Sequence, residues 1–220
     1  MLTELRRYAI EPGHMDAMHV RMHEMLFPMF REHGIPAPRA IWENRDESST
    51  LTWMIDWPSF ERRLAAWTSF APLFAAARRA EGTPEIVTRT TLTMIAPWPG
   101  HVPGFTSDGG CEALWLVQPR IGFGAAFMAL CEAEIFPRFR DAGASAVSAS
   151  NLLFGPLPMA TVFLSWPDAA ARVAGYDAIR QAAMPAALAE ALLGDGARFG
   201  DRGNWEGLDR ATYLPRAQAE

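Results

Sequence analysis

Cysteine is scarce, with Cys111 and Cys131 the only two in 220 residues. Two widely spaced thiols make neither a disulfide framework nor a zinc knuckle. Long apolar runs are missing as well. No stretch has the eighteen or so uninterrupted apolar residues of a membrane helix, and Met-Leu-Thr-Glu-Leu-Arg-Arg-Tyr at the start lacks the apolar segment of a signal peptide. A basic excess is also absent: 20 Lys and Arg against 25 Asp and Glu leave a net charge of −5. Phosphate contacts need a basic face, so nucleic acid is not the expected partner. The expectation is a soluble, cytoplasmic protein with no membrane and no nucleic-acid partner, whose ligand is a small molecule.

Half of the chain is apolar and 20% is charged, enough for a substantial core. The chain also repeats itself. Leu26 to Gly34 reads Leu-Phe-Pro-Met-Phe-Arg-Glu-His-Gly, and Ile135 to Gly143 reads Ile-Phe-Pro-Arg-Phe-Arg-Asp-Ala-Gly. At the same offset of 109 positions, Thr52, Trp57, Pro58 and Arg63 match Thr161, Trp166, Pro167 and Arg172, and Trp67 falls on Tyr176. Agreement this widely spread implies two like halves: a first repeat over 1–97, a Pro/Gly-rich linker over 98–110, a second, degenerate repeat over 111–215, and a tail over 216–220.

Periodicity orders the elements of the first half. Thr3 to Ile10 reads as a strand ended by Pro12-Gly13. A long helix follows from about Met15 to His33, with Met15, Met18, Met22, Met25 and Met29 along one face. Such a stripe suits core packing, and methionine also suits a wall that adapts to a ligand. Pro28 lies inside this helix and predicts a kink, and Gly34 fits its left-handed cap. Strands near Arg39 to Asn44 and Thr50 to Trp57 form a hairpin. A helix through Glu61, Arg63 and Trp67 follows, then a second helical segment over Leu73 to Ala80, then a strand from Glu85 to Ala96. The second half repeats this β-α-β-β-α-β order, with a turn over 155–158, a Gly-rich surface loop or lid over 194–207, and a last strand from Leu208 to Leu214. The expected fold is therefore α+β, two tandem ferredoxin-like repeats whose bare sheet faces press together into an intramolecular barrel. Further homo-oligomerisation is left open.

His19 and His23 sit four apart on the first helix. That spacing fits a metal or haem site, a catalytic pair, or two boundary histidines. No glutamate follows the first of them, so H-E-x-x-H is absent. His101, in the linker, reads as an exposed residue.

Glu4-Leu5-Arg6 with Tyr8, then Pro12-Gly13, the helix carrying Pro28, and Trp57 with Arg63 resemble the NIPSNAP family, within the wider dimeric α/β barrel superfamily. The resemblance covers residues 3 to 97, and 111 to 215 as a degenerate copy. Met25 stands where the family often has a histidine. The second copy lacks the Arg-x-Tyr pattern and has Leu114, Trp115 and Leu116 in that region. The family has no agreed catalytic residues to carry over. The superfamily includes cofactor-free monooxygenases, isomerases, polyketide cyclases, haem enzymes and plain ligand-binding proteins, and fold analogy does not choose among them.

Three functions compete. The first is a small-molecule enzyme without a metal or cofactor, of oxygenase, isomerase or cyclase type, with its pocket between sheet and helix of the first repeat. Arg6, Tyr8, His19, His23 and Glu43 would supply polar chemistry, the histidines by acid–base work and Arg6 by holding an anionic oxygen. Met18, Met22, Trp42 and Trp53 would supply the walls. Eight Trp and thirteen Phe suit an apolar or aromatic substrate. The second function is a non-catalytic ligand-binding or interaction module. The third is haem binding through a histidine.

Overall fold

The computed structural model describes residues 2–44, 48–102, 111–154, 159–192 and 204–210. It divides into two compact units, one ending at Met94 and the other spanning Ile95–Arg210.

The first unit runs β1 (Leu2–Ile10), α1 (Met15–Arg21), a π-helical turn π1 (Met22–Leu26), α2 (Phe27–Glu32), β2 (Ala40–Asn44), β3 (Thr50–Trp57), α3 (Phe60–Glu81) and β4 (Val87–Pro97), whose last residues belong to the second unit. Its strands lie in the order β4-β1-β3-β2. β3 pairs antiparallel with both neighbours, with Tyr8 and Glu43 each opposite Leu51, and Arg6 and Ile41 each opposite Trp53. Alternation along these strands sends Glu4, Arg6, Tyr8, Ile41, Glu43, Leu51, Trp53, Ile55 and Trp57 to one face. Met15, Met18, Met22, Leu26 and Phe30 cover it and join the same core, together with Ala66 and Phe70 of α3. The methionine stripe is thus packed, with Met18 and Met22 fully buried.

Two expectations change here. The long helix does not simply kink at Pro28. It widens just upstream, where the Phe27 N–H reaches back five residues to the Met22 carbonyl. Pro28 has no N–H for the Glu24 carbonyl, and the widened turn absorbs that loss before the helix resumes. The segments expected over Glu61 to Trp67 and Leu73 to Ala80 are one helix of 22 residues. Ser59 caps it by accepting from the Arg62 N–H, Pro72 lies within it, and Gly82 ends it at φ 68°.

The second unit runs β5 (Cys111–Val117), α4 (Gly124–Leu130), a second π-helical turn π2 (Cys131–Ile135), α5 (Phe136–Asp141), β6 (Ala146–Phe154), β7 (Ala160–Trp166), α6 (Ala169–Gln181), α7 (Ala186–Ala191) and β8 (Asn204–Arg210). Its strand order, β8-β5-β7-β6, is the first unit's order repeated. π2 precedes Pro137 as π1 precedes Pro28, and the Phe136 N–H reaches the Cys131 carbonyl. Trp115, Phe127, Phe136, Phe139, Val162 and Trp166 head its core. Asp168 caps α6 through the Ala171 N–H at 2.8 Å. The last strand starts four residues earlier than the sequence pattern suggests, because Asn204 to Gly207 pair with Leu116 to Ala113. Most of the expected Gly-rich loop, the turn over 155–158, the linker beyond Val102 and the tail lie outside the described residues. No helix among the described residues is long and apolar enough to cross a membrane.

Candidate functional site

The polar residues of the first unit gather on the helix-covered face of its sheet. Glu4 is the hub. Its Oε1 accepts from Arg6 Nε at 2.6 Å and Arg63 Nη2 at 3.2 Å. Its Oε2 accepts from Arg63 Nε at 2.7 Å, Trp57 Nε1 at 2.8 Å and Trp67 Nε1 at 3.3 Å. Burial opposes ionisation of Glu4, but the Arg63 hydrogen bonds and the Arg6 and Arg63 charges outweigh it and hold the carboxyl below the ordinary range. Sequence reasoning had Glu4 only as part of a motif. Its place between two arginines and two tryptophans depends on Arg63 and Trp67, which come 59 and 63 positions later.

The Arg6 guanidinium carbon lies over the Trp67 ring, 3.7 Å from its centre, and 5.2 Å from that of Trp53. Its Nη1 donates to the Tyr8 hydroxyl at 3.1 Å. Burial pushes the Tyr8 phenol upward, and although Arg6 opposes that shift, the phenol stays protonated at neutral pH. Tyr8 packs edge-on against Trp53 at 5.6 Å.

His19 reaches over this face from α1. Its Nε2 lies 2.6 Å from Glu43 Oε2, with both side chains partly exposed. Glu43 and Tyr8 flank Leu51 in one row across three strands, so their Cα atoms stand roughly 10 Å apart at the usual strand spacing. The structure therefore brings Arg6, Tyr8, His19, Glu43, Met18, Met22 and Trp53 to one side of the sheet.

Two expected residues do not join them. His23 falls in the π-turn and is exposed. Trp42 is opposite Thr52 on the other face of the sheet, since it neighbours Glu43 on one strand. The open groove of about 410 Å³ found among the described residues is also elsewhere. It lies beyond the end of α2 and beside the start of α3, lined by His33, Pro36, Trp57, Pro58 and Arg62. None of the expected site residues lines it.

The second unit has apolar residues at the equivalent positions. Ala113, Trp115, Val117 and Met128 stand where the first unit has Glu4, Arg6, Tyr8 and His19. Its own histidine pair is different in kind. His101 is packed rather than exposed: its Nδ1 accepts from the Ala149 N–H at 3.1 Å, its Nε2 meets Glu132 at 2.6 Å, and its ring lies against Trp98 and Phe136. Its two ring nitrogens tie β6, through Ala149, and π2, through Glu132. Cys111 and Cys131 are free thiols, and burial pushes the Cys131 thiol well up, which makes it unreactive. No group of three or more His, Cys, Asp and Glu among the described residues could hold a metal ion.

The chain matches no protein-family model and no curated protein sequence. Solved structures do match. An anthrone oxidase-like protein aligns over 100% of this chain and 96% of its own, at 14% identity and a TM-score of 0.61. A proposed monooxygenase from Fusobacterium nucleatum aligns over 95% and 91%, at 8% identity and a TM-score of 0.56. A NIPSNAP domain protein from Burkholderia xenovorans aligns with 46% of this chain and 97% of its own, at 14% identity and a TM-score of 0.34, which carries no weight. The full-length likenesses define the class: an α+β protein of two ferredoxin-like repeats with the dimeric α/β barrel fold of monooxygenase-like proteins.

Proposed function

We propose that this chain is a small-molecule enzyme of the proton-abstracting kind, acting on an apolar or aromatic substrate at the helix-covered face of the first repeat. The observation that carries this reading is the 2.6 Å contact between His19 and Glu43. A carboxylate that orients an imidazole is the usual companion of general-base chemistry. His19 Nδ1 is buried, so the edge of the pair open to a substrate is the Nε2–carboxylate side. There the pair would take up a proton from an activated C–H or O–H and end as an imidazolium–carboxylate ion pair. Met18, Met22 and Trp53 would shape the apolar surround, and no step calls for a metal.

The substrate class is suggested by the fold likeness to an anthrone oxidase-like protein. An anthrone has a C–H acidified by its ketone and two aromatic rings. Its anion reacts with dioxygen to give the quinone and water, with the substrate losing two hydrogens and gaining one oxygen. The test is oxygen uptake with anthrone in buffer, with wild-type protein, and with His19→Ala and Glu43→Gln. Acceleration by wild type with roughly 100-fold or greater loss in His19→Ala is expected. No acceleration over buffer, or equal rates in all three proteins, overturns the reading.

Haem ligation through His19 is the weaker reading, because iron at Nε2 would have to displace Glu43. Membership of the NIPSNAP family, with repeats over 1–97 and 111–215, is kept as part of the proposal and rests on the sequence motifs.

A further inference from the structure

Charge and hydrogen-bond counting around Arg6 leaves a surplus of donors. Two guanidinium groups, Arg6 and Arg63, share the single carboxylate of Glu4. The cluster therefore carries one uncompensated positive charge on a largely buried patch, where Arg6 is only 12% exposed. Arg6 gives Nε to Glu4 and Nη1 to Tyr8, and among the described residues nothing accepts from Nη2. Tyr8 accepts from Arg6, and its own hydroxyl proton has no acceptor among the described residues. Trp53 Nε1 is fully buried and has no hydrogen-bond partner among the described residues. Arg6 and Trp53 are cross-strand partners, and the Tyr8 ring touches Trp53.

An unsatisfied buried donor and a largely buried excess of positive charge are both costly. The Trp67 and Trp53 rings offset part of that cost through cation–π contact. They leave the buried Trp53 N–H without an acceptor. What the cluster lacks is one anionic oxygen.

We infer that Arg6, Tyr8 and Trp53 form a recognition site for an anionic oxygen of the ligand, a carboxylate or an ionised phenol or enol attached to an aromatic ring. This rests on the small-molecule reading of the same face and narrows its ligand to aromatic acids and ionisable phenols. The partly exposed Trp67 would meet the ring, and the donors would hold the oxygen. The second unit, with Ala113, Trp115 and Val117 in place of Glu4, Arg6 and Tyr8, has no such site.

The experiment follows the Trp53 indole N–H by nitrogen-15 NMR, assigned by its loss in Trp53→Phe. Benzoate and benzamide are titrated separately, since they differ in charge and hardly in shape. Benzoate is expected to shift the Trp53 signal saturably, with at least fivefold preference over benzamide. Arg6→Gln should abolish the preference. Tyr8→Phe keeps the Arg6–Glu4 pair, so the fold, and should weaken benzoate roughly 2- to 10-fold, the range of one hydrogen bond. An unmoved indole signal, less than fivefold preference, or an unchanged benzoate response in Tyr8→Phe overturns the inference. Oxygen uptake measured in parallel separates the two readings: catalysis can fail while the benzoate response stands, and the reverse.

Discussion

Trp57 and Trp166 occupy the same place in the two repeats, yet among the described residues only Trp57 has an acceptor for its indole N–H. Glu4 Oε2 lies 2.8 Å from Trp57 Nε1. At the matching position the second unit has Ala113, and Trp166 Nε1 is buried without a partner. The two substitutions Trp57→Phe and Trp166→Phe remove similar ring volume. Trp57→Phe also breaks a hydrogen bond to a carboxylate, whereas Trp166→Phe removes an unsatisfied donor. Urea unfolding should show Trp57→Phe more destabilising by about 1.5–3 kcal/mol. Equal costs would mean that the Glu4 contact adds nothing.

Glu4→Gln should be among the most damaging single changes in the first unit, because it leaves two largely buried guanidinium groups without their anion. A cost of about 3–5 kcal/mol is expected. The pH dependence follows from the direction of the shift. The folded carboxyl titrates below its unfolded counterpart, at about 4.3 in an unfolded chain. Its stabilisation is complete above that value and is lost as pH falls through the lower folded value. Wild type should therefore lose stability in acid more steeply than Glu4→Gln, measured by denaturant midpoints between neutral pH and pH 3. Parallel curves would exclude Glu4 from the acid response.

Gly175 lies in α6 where a Cβ would overlap the Trp166 ring and the Ala142 carbonyl. The backbone carbonyl cannot give way cheaply, so Gly175→Ala overpacks the joint despite the better helix propensity of alanine. A loss of about 1–3 kcal/mol is expected in thermal or urea unfolding. A neutral or stabilising effect would show that α6 slides on β7 at little cost.

Glu43→Gln tests the orienting role of the carboxylate apart from the imidazole. With a substrate that is turned over, kcat should fall roughly 10- to 100-fold while KM changes little, since a positioning loss acts in the transition state. A rise in KM with kcat unchanged would instead make Glu43 a binding residue.

Much of the architecture was legible in the chain. The 109-residue repeat, the alternation of Leu51, Trp53, Ile55 and Trp57, and the caps at Ser59 and Asp168 depend on neighbours close in sequence. The π-turns were not legible as such. Pro28 and Pro137 signal a disturbed helix, but whether it bends or widens depends on what the helix packs against. The site was legible in part. Strand alternation puts Arg6 with Tyr8 and separates Trp42 from Glu43, but only the pairing register puts Glu43, and not Trp42, on the face of Arg6 and Trp53. The exposure of His23, and the packing of His101 through its contact with Ala149, emerge only in the folded chain.

The sequence by itself determined the repeat, the α+β class and the restriction of Glu4, Arg6, Tyr8 and His19 to one copy, because each is a matter of local pattern or residue identity. Tertiary structure decided which of these residues meet. Glu4 becomes a hub only when α3 brings Arg63 and Trp67 back onto β1, and His19 finds Glu43 only when the first helix lies across the sheet. The physical reason is that hydrogen bonds and ion pairs act over about 3 Å in space and are blind to the 24 to 63 positions of chain between their partners.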